Sequence, residues 1–559
     1  MLRTALFLSL TLIVVGPLAA QDIPDAPGKD VTLRICTSCH GAEMWASERK
    51  GQLDWDNTIA SMTEKGLSIS DADYATVLDY LSKNLGTAKA KPAAAPPAAT
   101  SATAPAAKPA AKPAAKTAAS SPVGEAREIL KELIEINTTN SVGDNTKAAE
   151  AIAARFRDAG FPAADVQVLT PMPHKGNLVV RLRGTGTGTK PALLIGHLDV
   201  VEAARSDWSM DPFTLTEKDG FFYGRGVTDM KGDDALAIET FLRLKREGFR
   251  PSRDLILALT SDEETGPANG VQYLVKEHRE LIDAAFAINF DAGGGDIKNG
   301  KRLYVGLQAA EKMYESYKLE VTNPGGHSSR PTKENAIYRL AAGLTRLSKY
   351  DFPVHLFDVT RQELERLAPY YGGQEGQDMK AIAANPKDAA AVARFSEKPQ
   401  DNALLRTTCT PTLLAGGHAE NALPQLATAT VNCRILPVEN ASDVEKKIVE
   451  LLADPQIKVT PVKGVTTVPY TPIDPKVLGA VSAVTEKHWP GLPVVPKMSL
   501  GATDSIYLIR GGIPSFGVSG IFRDEDDDRA HGRDERILTQ SFDEGVGFVY
   551  DLITALGKN

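Results

Sequence analysis

Acidic and histidine side chains stand directly after short apolar runs, an arrangement that favours metal binding or acid–base catalysis. His197 and Asp199 follow the apolar run 193–195 at alternate positions, so both point to one face at the end of a predicted strand. Asp229 closes the segment YGRGVTD, whose glycines permit a sharp turn, and an apolar helical pattern follows it. Ligands bind at the carboxyl ends of strands in open α/β sheets, so these residues are placed for chemistry. The alternative for this stretch alone is a polar surface turn.

Three later apolar runs, residues 255–259, 284–290 and 513–518, end in the same way. The residues beyond them are Glu263 and Glu264, then Asp291, then His531 in an acidic loop. The strand ends thus hold two imidazoles and three carboxylates for metal, a mixture that suits zinc or cobalt better than calcium. The predicted metal ligands are His197, Asp229, Glu264, Asp291 and His531. One carboxylate shared by two metal ions would give each ion three protein ligands.

These apolar runs alternate with helical patterns from about residue 123 onward. Helices are predicted over 129–134 and 146–159, and a further strand over 177–180. The alternation predicts an α/β fold with a mostly parallel sheet and helices on both faces.

Composition and charge exclude some functions. The chain of 559 residues is long enough for several domains, at about 150 residues per domain. Its formal net charge of −8 provides no broad basic field, so we do not expect nucleic acid as a partner. Residues 1–20 resemble a secretory signal peptide. No later apolar run is long enough to span a bilayer, so we expect an exported, periplasmic protein, with an uncleaved anchor as the alternative.

The segment CTSCH, which contains Cys36, Cys39 and His40, has the pattern to which haem is covalently attached. His40 would be one iron ligand, and Met62 is the expected second ligand, with Met44 the weaker candidate. A redox dithiol does not need the adjacent histidine, and no second cysteine pair follows nearby to complete a zinc site. Residues 21–86 therefore resemble a small, all-α, single-haem c-type cytochrome. Residues 87–122, almost only Ala, Pro, Lys, Thr and Ser, are predicted to be a semi-extended linker.

From residue 123 to the end, eight motifs in order resemble a known family of dizinc metallopeptidases. The motifs are GHLDVV, YGRGVTDMKG, TSDEETG, NFDAGGG, GGHSSRP, NALP with NCRILP, GATD and AHGRDERI. The family includes aminoacylase, glutamate carboxypeptidase, carboxypeptidase S and succinyl-diaminopimelate desuccinylase. The resemblance implies that Asp229 bridges two zinc ions, with His197 and Asp291 on one ion and Glu264 and His531 on the other.

The same resemblance assigns roles around the metal ions. Asp199 would orient His197, and Glu263 would be the general base that takes a proton from the attacking water. His327, in the GGHSS motif, would stabilise the charge that develops on the carbonyl oxygen. It would come from a second domain, because the family interrupts its catalytic domain, here residues 123–311 and 467–559, with an inserted α/β lid, here residues 312–466.

The resemblance also implies substrate contacts. Arg434 would bind a substrate carboxylate, for which a bidentate guanidinium is suited, although a surface salt bridge is the alternative. The further expected contacts are Asn421, Gly501 and Thr503. Asp504 belongs to the same loop but could instead cap the helix that follows.

The lid is longer than the minimal family version by about residues 350–408, as in the carboxypeptidase S and N-acyl-amino-acid hydrolase branch. A homodimer is possible, although such an insertion could block the contact through which the plain lid dimerises. Cys409 and Cys433 could form a disulfide in an exported protein.

These patterns predict a zinc-dependent hydrolase, with cobalt a possible substitute, of an amide bond next to a free carboxylate. The substrate would be a dipeptide, a peptide carboxyl terminus or an N-acyl amino acid. The alternative is a haem electron-transfer or sensor protein with a redox partner, whose hydrolase-like part is a non-catalytic scaffold. A complete ligand set with an intact Glu263 argues against a scaffold, which needs no base.

Overall fold

A computed structural model describes residues 23–24, 26–37, 45, 55, 58–59, 62, 69, 71–85, 121–186, 188–462 and 470–558. The chain forms two compact units, Met1–Ala115 and Lys116–Asn559. The predicted signal peptide, nearly all of the predicted linker, and Cys39, His40 and Met44 lie outside the described residues. Within the described part, no helix combines the length and the apolar character needed to cross a bilayer.

The elements are numbered here in chain order. The helices are α1 Lys29–Cys36, α2 Asp71–Asn84, α3 Pro122–Glu135, α4 Asn145–Asp158, α5 Lys231–Arg246, α6 Gly270–Glu277, α7 Arg279–Ile282, α8 Ala336–Leu347, α9 Asp358–Tyr371, α10 Gly373–Ala384, α11 Ala389–Phe395, α12 Pro399–Leu405, α13 Ala441–Leu452, α14 Pro475–His488, α15 Ser505–Arg510 and α16 Thr539–Lys558. The strands are β1 Val166–Leu169, β2 Asn177–Leu182, β3 Ala192–His197, β4 Thr216–Lys218, β5 Phe221–Tyr223, β6 Leu255–Thr260, β7 Phe286–Asn289, β8 Gly294–Lys298, β9 Lys301–Glu311, β10 Met313–Thr322, β11 Gly326–His327, β12 Thr408–Gly416, β13 Ala422–Leu423, β14 Leu426–Ile435, β15 Lys458–Pro461, β16 Val494–Ser499, β17 Ser515–Gly517, β18 Phe522–Asp524 and β19 Arg536–Leu538.

The first unit contains α1 and α2, which pack together and are joined by an ion pair from Arg34 to Asp73. Its buried side chains include Trp55 and Leu81. Cys36, the last residue of α1, carries a half-buried free thiol. The described helices agree with an all-α domain, but they do not show a cytochrome fold.

The second unit is built on a ten-stranded sheet in the order β1-β2-β6-β3-β7-β17-β9-β8-β18, with β16 on the side of β9. Five of the nine strand pairings described for this sheet are parallel and four are antiparallel, so the sheet is mixed and the prediction of a mostly parallel sheet holds by a small margin. Strand β3 lies parallel to both β6 and β7 at its centre, whereas β2 and β8 pair antiparallel with β6 and β9. The short connection at Asn299 and Gly300 makes β8 and β9 a hairpin, and a hairpin can only be antiparallel.

The centre of this sheet is fully covered, as its apolar runs predict. All six residues of β3 and of β6 are buried, and α5 has thirteen buried residues among its sixteen. Because β3, β6 and β7 are parallel neighbours, their carboxyl ends lie side by side at one edge of the sheet.

The boundary between the predicted linker and the catalytic domain lies slightly earlier than predicted. The Ser121 hydroxyl caps α3, and Pro122 is already helical.

The predicted lid contains an antiparallel sheet in the order β12-β14-β10-β15, whose apolar face packs against α8 and α13. Strands β10 and β14 alternate buried and less buried residues along their whole length, as strands with one covered face do. Cys409 and Cys433 face each other across β12 and β14 and form a disulfide. The possibility that these two cysteines pair is therefore realised in the structure.

The insertion within the lid forms α9 to α12, which pack on the catalytic domain. Leu364 and Ile382 from these helices share an apolar cluster with Tyr304 of β9 and Val495 of β16. Glu363 of α9 accepts a hydrogen bond from the backbone N–H of Met498 at 3.1 Å. The helices of the insertion thus extend the layer that covers the large sheet.

Candidate metal centre

Two groups of metal-ligand side chains meet at the carboxyl edge of the large sheet. His197, Asp229 and Asp291 form one group, and Asp229, Glu264 and His531 form the other. In each group the ligand atoms lie within 4.8 Å of one another. The structure therefore brings together all five predicted metal ligands, and Asp229 belongs to both groups.

The two carboxylate oxygens of Asp229 face different histidines. Its Oδ1 lies 3.1 Å from Nε2 of His197, and its Oδ2 lies 3.1 Å from Nε2 of His531. The second histidine also lies 2.9 Å from Oε1 of Glu264. Burial favours the neutral carboxyl of Asp229, but the two histidines outweigh this effect and hold its pKa below the usual value. One carboxylate oriented in this way can bridge two ions.

The imidazole of His197 is positioned by the main chain. Its Nδ1 lies 3.0 Å from the carbonyl oxygen of Asp199 and donates a proton there, which directs Nε2 at the acids, where it donates to Oδ1 of Asp229. Burial lowers the pKa of His197, but hydrogen bonds to Asp229 and Asp291 more than reverse this. The ring is thus oriented as a metal ligand requires.

The carboxylate of Asp199 makes contacts that the sequence did not predict, in addition to the contact of its carbonyl oxygen with His197. Its Oδ1 accepts a hydrogen bond from the N–H of Glu263 at 3.2 Å, and its Oδ2 accepts one from the N–H of Glu264 at 3.0 Å. The distance from Oδ1 to Nδ1 of His197 is 3.8 Å, so the Asp199 carbonyl oxygen makes the closer contact with that ring. Asp199 therefore positions the turn that carries the predicted base and one predicted ligand.

The turn after β6 has a second support from a buried ion pair. Lys175 Nζ donates to Oδ1 of Asp262 at 2.6 Å and to Oδ1 of Asn140 at 2.7 Å. Asp262 has a φ of 60°, a left-handed conformation that aspartate adopts more readily than most residues other than glycine. These contacts fix the turn that precedes Glu263 and Glu264.

Burial, and next the charge of Asp291, raise the pKa of Glu263 well above its usual value. A raised pKa suits a group that must accept and then release a proton.

Three charged residues that the sequence pattern did not single out also contact this site. Glu535 accepts hydrogen bonds from the N–H groups of Thr228 and Asp229 and pairs with buried Arg225 at 2.7 Å. Arg523 donates to the carbonyl oxygen of Thr228 at 2.9 Å. Burial lowers the pKa of Arg523, but Asp233 and Asp229 raise it by more, so it is a fixed positive charge beside the acids. Glu535 lies within the motif AHGRDERI, but its contacts depend on the fold.

The expected substrate contacts in the lid do not lie together within one chain. His327 pairs with Ala422 in a short two-stranded sheet, next to Asn421. These residues lie at the tip of the lid beyond Leu426, where His327 and Asn421 are exposed. Nδ1 of His327 accepts a hydrogen bond from the N–H of Ser329 at 3.1 Å, so its Nε2 is left to face solvent as a donor. Neither residue contacts the five clustered side chains among the described contacts.

Arg434 lies at the opposite end of the lid sheet. The register pairs Arg434 with Tyr314, near the lid junction, and pairs Leu426 with Thr322. At about 3.3 Å per residue, Arg434 and Leu426 are about 26 Å apart along β14. The guanidinium stacks on the Tyr314 ring at 4.7 Å, and within the described residues no carboxylate pairs with it. Arg434 therefore does not form, with any described residue, the surface salt bridge that was the alternative interpretation.

The loop that contains Gly501, Thr503 and Asp504 lies beside β7. Gly501 is exposed, whereas the Thr503 hydroxyl donates to Oε2 of Glu311 at 2.8 Å and accepts from Asn289 Nδ2 at 3.2 Å. The Asp504 side chain does not cap α15, and it accepts a hydrogen bond from Asn269 Nδ2 at 2.6 Å. The hydroxyl of Thr503 is therefore used inside the fold.

Comparisons with known proteins relate most of the second unit to a peptidase family. Residues 193–555 match the family model described as Peptidase family M20/M25/M40. The human N-fatty-acyl-amino acid synthase/hydrolase PM20D1 is 30% identical over 449 residues, which cover 76% of this chain and 87% of that protein. A probable carboxypeptidase S-like 2 of Dictyostelium discoideum is 28% identical, over 67% of this chain and 74% of that protein.

The fold also matches a solved structure. The M20 family metallo-carboxypeptidase Sso-CP2 from Sulfolobus solfataricus superimposes with a TM-score of 0.60 at 18% identity, covering 78% of this chain and 99% of that one. The family match begins at residue 193, so the first unit, Met1–Ala115, lies wholly outside it.

Proposed function

The chain belongs to peptidase family M20/M25/M40 and is a hydrolase of that family, and we propose that it uses two zinc ions to cleave an amide bond next to a free carboxylate. The observation that carries this proposal is the pair of three-residue groups that share Asp229. Two imidazoles and three carboxylates are donors that zinc accepts, and each group leaves positions free for water and substrate. Cobalt suits the same donors.

The residues of the chain would divide the reaction between them. His197 and Asp291 would hold one ion, Glu264 and His531 the other, and Asp229 both. Two bound metal ions would supply Lewis acidity that polarises the substrate carbonyl and lowers the pKa of a water molecule. Glu263, held by Asp199 through its N–H, would take a proton from that water and deliver it to the leaving nitrogen.

We propose an N-acyl amino acid as the first substrate class to test, followed by dipeptides and peptide carboxyl termini. The human relative is named for N-fatty-acyl-amino acids, and the Dictyostelium relative for carboxypeptidase S. Arg434 supports a free carboxylate in the substrate, because its guanidinium has no acidic partner among the described residues and lies near the lid junction. Gly501 and Asn421 are further proposed contacts.

The experiment compares the wild type with Glu263→Gln on N-acyl amino acids and dipeptides, while bound zinc is measured by mass spectrometry. We expect kcat/KM to fall by about 100-fold to 10,000-fold with the zinc content unchanged, because a general base contributes about that much. Glu280→Gln, an exposed glutamate on α7, is the matched control. Full activity of Glu263→Gln would reject the base assignment. A wild type that binds two zinc ions and hydrolyses nothing would favour the scaffold alternative.

We propose that the first unit carries covalently bound haem through Cys36 and Cys39, with His40 and Met62 as axial ligands. The CTSCH motif supports this proposal. Burial raises the pKa of the Cys36 thiol to about 11. Met62 is half-buried. The double variant Cys36→Ser and Cys39→Ser should abolish covalent haem staining on a denaturing gel, because neither thioether bond can form. Retention of covalent haem by this variant would contradict the assignment, and a redox partner for the haem is part of the same proposal.

We propose that the protein is exported to the periplasm. The Cys409–Cys433 disulfide supports an oxidising compartment. Fractionation of cells that produce the full chain would test this proposal, and recovery of the protein in the cytoplasm would contradict it.

We also propose a homodimer. Leu413 and Leu414 are 68% and 71% exposed on β12, an edge strand that can pair with another copy. His327 at the lid tip could then meet the metal centre of the partner copy. Mixing inactive His327→Ala with inactive Glu263→Gln would restore activity in such a dimer. A monomer by light scattering, with no restoration, would reject it.

A further inference from the structure

Glu311 ties the junction between the catalytic domain and the lid to the loop Ser499–Asp504. It is the last residue of β9 and is buried, with 7% of its surface exposed. Its Oε2 accepts hydrogen bonds from the N–H of Thr503 at 3.1 Å and from the Thr503 hydroxyl at 2.8 Å. The next residue, Lys312, donates its N–H to the carbonyl oxygen of Ser499 at 3.0 Å. Side-chain and main-chain bonds thus fix this loop at the start of the lid.

The loop Ser499–Asp504 is also connected, through Asn289, to the predicted metal ligand Asp291. Asn289 is buried at the end of β7, and its Nδ2 donates to Oγ1 of Thr503 at 3.2 Å. Its Oδ1 accepts a hydrogen bond from the N–H of Asp291 at 3.0 Å. One amide side chain therefore contacts the ligand-bearing backbone at one end and the Thr503 hydroxyl at the other. Glu311, Thr503, Asn289 and Asp291 form one continuous chain of hydrogen bonds.

A second branch leads from the same loop to the turn with Glu263 and Glu264. Asp504 is buried and accepts a hydrogen bond from Nδ2 of Asn269 at 2.6 Å. The same Nδ2 donates to the carbonyl oxygen of Asp262 at 3.1 Å, and Oδ1 of Asn269 caps α6. The loop therefore contacts both of the strand ends that supply acidic residues from β6 and β7.

We propose that Glu311 and Thr503 are positioning residues, which set the orientation of Asp291 through Asn289 and connect the metal centre to the lid junction. This inference rests on the proposed metal centre but not on any substrate. Groups that orient a metal ligand change metal affinity when they are removed, because the ligand must then be ordered at the moment of binding. The Thr503 hydroxyl already uses its one proton on Glu311, so it has no proton left to donate to a substrate.

The first test compares Thr503→Val, which keeps the branched shape and removes the hydroxyl, with Thr503→Ser, which keeps the hydroxyl. Zinc affinity is measured without substrate by competition with a coloured chelator, and the cobalt-loaded protein is examined by its visible absorption spectrum. We expect the ion held by His197, Asp229 and Asp291 to bind about 10-fold to 100-fold less tightly in Thr503→Val, with a changed cobalt spectrum. Thr503→Ser should recover most of the affinity.

The second test is Glu311→Met, which removes both carboxylate oxygens at similar side-chain length, with Glu363→Met as the matched control. Both glutamates are buried and accept a backbone N–H, but Glu363 accepts from Met498 and contacts neither of the loops that carry predicted metal ligands. Glu311→Met should weaken zinc binding, whereas Glu363→Met should bind zinc as the wild type does. Circular dichroism verifies that each variant is folded, and Thr503→Val carries the test if Glu311→Met does not fold.

The outcomes separate the possible roles. Wild-type zinc affinity in Thr503→Val, with a raised KM for substrate, would show that Thr503 contacts substrate and would overturn the inference. Unchanged affinity and KM would also overturn it. Failure of the wild type to hydrolyse any amide while it binds two ions would reject the proposed function and leave this test intact. Failure to bind any ion would reject both.

Discussion

Glu535 accepts a hydrogen bond from the backbone N–H of Asp229 at 3.1 Å, although 306 positions separate the two residues. The same carboxylate accepts from the N–H of Thr228 at 2.7 Å and pairs with Arg225 at 2.7 Å, and both partners of this ion pair are buried. The end of the chain thereby holds the segment that carries the residue common to both candidate metal groups.

We expect Glu535→Ala to lower the free energy of unfolding by about 3–5 kcal/mol, because Arg225 would remain buried without its partner. The backbone donors near Asp229 would also lose their acceptor, so bound zinc should decrease. Urea unfolding measures the first effect and metal analysis the second. Lys446→Ala removes an exposed ion pair with Asp443 and should change stability by less than about 1 kcal/mol. Equal stability changes in the two variants would contradict the argument.

His531→Asn should reduce the zinc content from two ions to one per chain. His531 belongs only to the group with Asp229 and Glu264, so the group with His197 stays complete. Metal analysis after dialysis measures the change. His174→Asn alters a surface histidine that pairs with Asp144 and should leave both ions in place. Two ions bound to His531→Asn with wild-type affinity would reject the assignment.

Removal of the disulfide should destabilise the lid. The pair Cys409→Ala and Cys433→Ala opens a link across 24 positions, and we expect a loss of about 2–4 kcal/mol in the free energy of unfolding. Urea unfolding of the oxidised wild type and of the double variant gives the difference. Reduction of the wild type should produce a similar loss, and it should leave the double variant unaffected. A wild type whose two cysteines react with a thiol reagent in the folded state would contradict the pairing.

The buried Glu363 should make stability depend on pH. Burial raises its pKa from 4.5 to about 7, although Lys497 opposes this shift. Because the folded state keeps a proton that the unfolded state releases, the contribution is present below pH 4.5 and is lost as the pH rises through 7. Between pH 5 and pH 8, the free energy of unfolding measured with urea should decrease less in Glu363→Gln than in the wild type. Glu365→Gln, on the same helix but exposed, should behave as the wild type; an unchanged decrease in Glu363→Gln would reject this account.

Elements whose signals are local were predictable. The apolar run 193–195 became the buried strand β3, and the pattern after Met230 became α5, because burial patterns at periods of 2.0 and 3.6 residues are written in neighbouring positions. The meeting of His197 with Asp291 also followed, since both stand at strand ends that a parallel sheet places side by side. The antiparallel pairings within this mostly parallel sheet were not predicted, because strand direction depends on which strands become neighbours.

The sequence by itself determined the family, the hydrolase class, the residues available as metal ligands and the positions of the central strands. These depend on residue type and local spacing. Only the tertiary structure decided that Asp199 holds the N–H groups of Glu263 and Glu264, that Cys409 meets Cys433, and that His327 and Arg434 lie at opposite ends of the lid sheet. Each of these relationships is set by strand register and by contacts between distant segments, which local pattern does not encode.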